Sequence, residues 1–203
     1  ARRMTHRPMA VFPEEADQQV VKHHWKTSDI KALKSRLNVS FTAGILATFG
    51  QKLFETAGPE RKRIRFGVII GCQNPRFRNN YTIATVDLKR AHSIEEKARH
   101  AQRQLVHRKF EILSLYHLMN AIEVQTAFKR QMVDVLFSPA FFDRGSGLSL
   151  QVNDMSFFNV PCSTPVYSFA CSIDDVVTLS TTVNSPDINL RQFAADSVSV
   201  FQS

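Results

Sequence analysis

The sequence predicts an α+β domain, a sheet packed against helices, and three observations predict it. Apolar residues recur at helical spacing across 41–56 and again beyond residue 93. Short segments rich in Val, Ile and Phe, closed by Gly, Pro, Asn or Asp, stand at 64–70, 81–88, 166–171 and 176–183. In the last of these, Val177, Leu179, Thr181 and Val183 alternate as the two-residue period of a strand with one buried face requires.

Each element has a local reason. Residues 1–19 carry Pro8 and Pro13 and no sustained period, so they read as an extended arm before a single domain over 20–203. Ser28 is placed as the cap of a short helix with Ile30, Leu33 and Leu37 on one face, stopped by Asn38. The helix over 41–56 is apolar on most sides, and Gly44 and Gly50 allow close approach of its backbone. A strand at 64–70 and another at 81–88 precede Ser93, which opens a helix with Glu95 and Glu96 in its first turn. Helical period continues to about Leu136, with a break expected near 111–114 or at Asn120. Residues 148–158 read as a strand, 166–171 and 176–183 as a hairpin, and Asn189 as the cap of a closing helix.

Composition narrows the function classes. The 203 residues hold sixteen Phe against one Trp and three Tyr, so the core is expected to be filled by plain apolar rings. No apolar run approaches the roughly 18–20 residues that a bilayer requires, and no transmembrane segment is expected. Cys72, Cys162 and Cys171 are odd in number and share no ligand spacing, which points to a reducing compartment with neither a disulfide framework nor a metal site. Arg2, Arg3, His6 and Arg7, with no acid among them, resemble the processed end of a mitochondrial protein, and a mitochondrial location is the expectation. The net charge of +8 admits an acidic partner or nucleic acid, but no zinc-finger, RRM or KH signature accompanies it, and nucleic acid is not favoured.

The joints of this element order resemble a known family. The phrases are Asp29-Ile30-Lys31-Ala32-Leu33, then Asn38-Val39-Ser40-Phe41-Thr42-Ala43, then Val68-Ile69-Ile70-Gly71 leading to Arg76 and Asn79-Asn80, and finally Val152-Asn153-Asp154-Met155. Over residues 20–203 the chain resembles the C-terminal lobe of the chloramphenicol acetyltransferase-like superfamily, as found in wax-ester synthases, alcohol acetyltransferases and peptide-synthetase condensation domains. The resemblance implies a mixed sheet packed on helices as one lobe of a two-layer sandwich. It implies two such lobes enclosing a tunnel, with a His of an HHxxxD motif in the first lobe acting as general base on a thioester reaction. The second lobe then supplies the tunnel wall, polar groups and an Arg.

The pair His23-His24 has four residues rather than three before Asp29, and it stands where the resemblance places no catalytic motif. His24, Arg76 and Asn153 are the candidate site residues, each weighed against a structural histidine, a solvated loop Arg and an edge-strand Asn. Asp143-Arg144-Gly145-Ser146-Gly147 is similar to a plant acyltransferase phrase, but Arg and Ser stand at its aromatic positions and an ordinary turn is the favoured reading. The expected function is therefore a non-catalytic interaction subunit, without cofactor, meeting other protein subunits through an exposed apolar lobe face. The alternatives are the acceptor-side half of an acyl-CoA-dependent O-acyltransferase and a basic nucleic-acid-binding module.

Overall fold

The computed structural model describes residues 9–11, 19–71, 81–115, 133–141, 164–173 and 175–195. These form a mixed six-stranded sheet with helices on one face, the α+β lobe expected. The strands are β1 (Gln19–Lys26), β2 (Arg63–Gly71), β3 (Tyr81–Lys89), β4 (Val135–Phe141), β5 (Val166–Ile173) and β6 (Val176–Val183), ordered β1-β6-β5-β4-β2-β3. The β2–β4 and β4–β5 pairs are parallel and the other three antiparallel. The helices are α1 (Thr27–Leu37), α2 (Phe41–Thr56), α3 (Ile94–Leu115) and α4 (Leu190–Ala195).

Strand alternation sends Ile64, Phe66 and Val68 of β2, Val86 and Leu88 of β3, Val135 and Phe137 of β4, and Val177 and Leu179 of β6 to the helical side, all fully buried. Phe49 of α2 stands at their centre, its ring 5.9 Å from Phe66 and 6.3 Å from both Phe137 and Phe193. Ser40 caps α2 by accepting from the Ala43 N–H (3.2 Å). Gly50 lets the helix lie close on β3, since a Cβ there would stand 2.5 Å from a Leu88 methyl.

The far end of α2 is held by two cations around Phe54. Arg90 donates through Nη2 to the carbonyls of Ala57 (3.0 Å) and Gly58 (2.8 Å), and through Nε to that of Arg61 (2.9 Å). Its guanidinium thus meets the negative end of the helix dipole at the C-cap carbonyl of Ala57 and ties down the turn that follows. Lys97, fully buried, donates to Gln51 Oε1 (2.9 Å) and to the carbonyl of His92. Burial holds its pKa below 10.5 despite the opposing charges of Glu55 and Glu96. Both cations lie over the Phe54 ring, at 5.3 and 5.5 Å from its centroid.

Local expectations fare well where the signal is local. Asn38 ends α1 in the left-handed region at φ 53°. Ser93 and Glu96 form a reciprocal capping box, Ser93 N–H to Glu96 Oε2 (2.8 Å) and Glu96 N–H to Ser93 Oγ (3.2 Å). The β5–β6 hairpin forms, but β5 runs two residues past the expected end at Cys171, so that Ile173 stands opposite Val176 and the turn is shorter than expected. Asn189 caps α4 by accepting from the Gln192 N–H (3.2 Å).

Residues 19–26, for which no element is expected, form β1, an edge strand, and two expectations are corrected. Ser28 is not a cap: α1 starts at Thr27 directly from β1, and the Thr27 N–H is met by the Asp175 carbonyl at 2.8 Å. α3 is continuous over Ile94–Leu115, a stretch with no Gly or Pro to interrupt it, and the alternative break at Asn120 lies outside the described residues. Val135 and Leu136, expected at the end of the helical stretch, are already strand, the start of β4. Pro139 is tolerated there because β2 pairs with β4 only opposite 135–137, so Pro139 faces a partner on the β5 side alone. The strand expected at 148–158 falls outside the described residues.

The arm also docks. Met9 is 1% exposed and belongs to the core. Its N–H donates to Asp134 Oδ1 (2.8 Å), the Ala10 N–H to Asp187 Oδ2 (3.0 Å), and Arg61 spans both carboxylates, at 3.8 Å from Asp134 and 2.9 Å from Asp187.

Candidate functional site

The face of the sheet turned away from the helices carries the one candidate site residue that falls among the described residues. On β1 the two-residue period divides the histidine pair: Val21, His23 and Trp25 point to the helices, while Val20, Lys22, His24 and Lys26 point outward and are exposed. His23 and His24 therefore cannot converge on one reacting atom.

His23 is 1% exposed. Its Nε2 donates to the Phe193 carbonyl (2.8 Å), and its ring meets the Phe193 ring edge-on at 4.7 Å. In this neutral tautomer Nδ1 is a buried acceptor without a hydrogen-bond partner. Its pKa lies below 6.5, chiefly because burial disfavours the charged ring; the Phe193 carbonyl opposes this, and the charges of Lys52 and His24 add to it. A base whose folded pKa is depressed destabilises the fold as pH falls below its unfolded value. The loss begins near pH 6.5 and is complete once pH is below the folded pKa. Denaturant unfolding is expected to show lower stability at pH 5 than at pH 7.5, and His23→Gln to flatten the part of that difference due to this ring.

His24 is held from its other side. Its Nδ1 lies 3.2 Å from Thr178 Oγ1, and register continues the row His24, Thr178, Cys171 across β1, β6 and β5. The next row is Lys22, Ser180, Phe169, Ser138, and the one after it crosses all six strands as Val20, Thr182, Tyr167, Leu136, Gly67, Thr85. Thr178, Cys171, Ser180, Phe169 and Thr182 are buried, so this face is covered inward of the exposed β1 edge. Ser180 Oγ is buried there without a partner. Among the described residues no carboxylate is bonded to His24, and no three His, Cys, Asp or Glu side chains gather to hold a metal.

Arg76, Asn153, and the Asp143 to Gly147 phrase lie outside the described residues. Among the described residues the exposed large apolar side chains are Val20, Val106 and Val176, while Phe49, Phe54, Phe66, Phe137, Phe169 and Phe193 are buried. No helix among the described residues is long and apolar enough to cross a membrane. Sequence reasoning missed the Arg61, Asp134 and Asp187 group, whose members come from three distant segments and share no motif.

No protein-family model matches the sequence, and no curated protein matches it. Solved structures do. The wax ester synthase/diacylglycerol acyltransferase from Marinobacter aquaeolei VT8 superposes with a TM-score of 0.63 at 14% identity, over 97% of this chain and 50% of that one. The epimerization domain of the third module of tyrocidine synthetase B gives 0.60 at 10% identity, over 96% and 50%. The EpoB cyclization-docking bidomain from Sorangium cellulosum gives 0.59 at 14%, over 97% and 46%. The chain spans about half the length of these structures. It has the fold of a single lobe of the chloramphenicol acetyltransferase-like acyltransferase and condensation domains.

Proposed function

We propose that this chain acts as one wall of a two-lobed acyltransferase-like assembly, lending surface and polar groups and not the proton-accepting histidine. The observation that carries the reading is the division of the histidine pair by strand alternation. One ring is sealed in the core on the Phe193 carbonyl, and the other stands on an exposed edge bonded to Thr178. A general base needs a fixed orientation and a reacting group within hydrogen-bond reach, and neither ring has an acidic group among the described residues to orient it. Similarity to acyltransferase and condensation structures at half their length supports the two-lobed setting. In this reading acyl-CoA is a ligand of the completed chamber, and protein subunits or segments supply the facing wall.

The test is thiol release from acyl-CoA by the purified chain, with and without an alcohol acceptor. Turnover is expected at the level of the blank, unchanged by His24→Ala. Turnover above the blank that His24→Ala abolishes would transfer the catalytic role to this lobe and end the reading.

A further inference from the structure

We propose that the β2–β3 end of the outer sheet face is a docking surface for an acidic protein segment. The proposal rests on the reading that this chain is one wall of a larger assembly, and it names the chemistry of one surface that a partner would meet. In the β2–β3 register Arg63 stands directly opposite Lys89, and Arg65 directly opposite Asp87, all four on the side away from the helices. Arg65 takes Asp87 in a two-pronged pair, Nε to Oδ1 at 2.8 Å and Nη2 to Oδ2 at 3.2 Å. Asp87 is thereby committed, and it reaches Arg63 only at 4.0 Å.

Lys89 is exposed and makes no ion pair among the described residues, and Lys62 beside it is exposed as well. Directly opposite residues of an antiparallel pair hold their Cβ atoms about 4.5–5.5 Å apart, where like charges repel. A sheet that opposes two cations, while the carboxylate nearest them among the described residues is paired in two prongs to Arg65, is poorly arranged for its own stability. It is well arranged for carboxylates arriving from outside. The residues stand on a pleated strand surface and not at a helix end, which suits the flat contact of a protein better than the concave site a small ligand needs. Nucleic acid fits less well, because no aromatic side chain is exposed beside these bases among the described residues.

The probes are poly-L-glutamate and a short DNA duplex, measured by anisotropy at low and high salt. The double variant Arg63→Glu/Lys89→Glu is compared with Lys31→Glu/Lys34→Glu, which makes the same change of net charge on the exposed side of α1. The first pair is expected to weaken polyglutamate binding by about tenfold and the second by no more than about twofold. In the free protein Lys89→Glu alone is expected to raise Tm at low salt, with the gain shrinking at high salt as screening sets in. Equal losses from both double variants, or no gain in Tm from Lys89→Glu, overturn the proposal. Duplex binding tighter than polyglutamate and lost in the first variant replaces it with a nucleic-acid surface. None of these readouts uses acyl transfer, so the surface and the non-catalytic reading fail separately.

Discussion

Phe49→Ala is expected to cost about 3–5 kcal/mol of folding stability, the range for emptying a fully buried aromatic site. Phe49 is 0% exposed and touches rings from three directions: Phe66 of β2, Phe137 of β4 and Phe193 of α4. The cavity would lie where α2 presses on the sheet, and little can collapse into it. Strand spacing fixes Phe66 and Phe137, and α4 is tied to β1 through the His23 bond to the Phe193 carbonyl. In a domain of this size each kcal/mol moves Tm by about 2–4 °C, so calorimetry should find a drop on the order of 10 °C. Phe49→Leu, which keeps much of the volume, should lose distinctly less. A Phe49→Ala drop of only a degree or two would mean that the helix does not sit on the sheet as described.

The same core shows why the fold was largely legible in the sequence and the site largely was not. Asn38, the Ser93/Glu96 box and the hairpin each act within a few residues, so their chemistry is written locally. β1 carries no clear strand signal in the sequence, because its inward positions read Val21, His23, Trp25. A histidine in the apolar row breaks the alternation that marks a strand, although the ring is buried and bonded. Once β1 is a strand, adjacent histidines face opposite sides of the sheet, so His23 and His24 do not share one reacting atom. β4 was misjudged for a different reason. A short apolar run following a helical stretch has no periodicity of its own, and its identity is set by β2 and β5, which no window around residue 137 contains.

Asp134→Ala is the second large effect, expected at about 3–5 kcal/mol. The residue is silent in the sequence because its hydrogen-bond partners among the described residues are distant: Met9 is 125 positions away and Arg65 is 69. In the structure it is a fully buried carboxylate whose Oδ1 accepts the Met9 N–H and whose Oδ2 accepts the Arg65 N–H, both at 2.8 Å. Its own N–H and C=O pair with the Arg65 carbonyl and the Val166 N–H, so one residue joins arm, β2, β4 and β5. Hydrogen bonds to a charged group are each worth about 1.5–3 kcal/mol, and removing the acceptor strands two backbone donors in a place water does not reach. Arg61 would keep Asp187 at 2.9 Å, so the loss is one of acceptors more than of charge balance. Asp134→Asn separates these terms. It keeps the shape and one acceptor oxygen but turns an NH2 group toward a backbone N–H, and it should retain most of the deficit. Asp187→Ala, at a side chain 33% exposed, should cost about 1 kcal/mol or less. Hydrogen exchange at the Met9 amide should rise sharply in Asp134→Ala and little in Asp187→Ala. Equal exchange in the two variants would show that the arm is held by the burial of Met9 and not by the carboxylate.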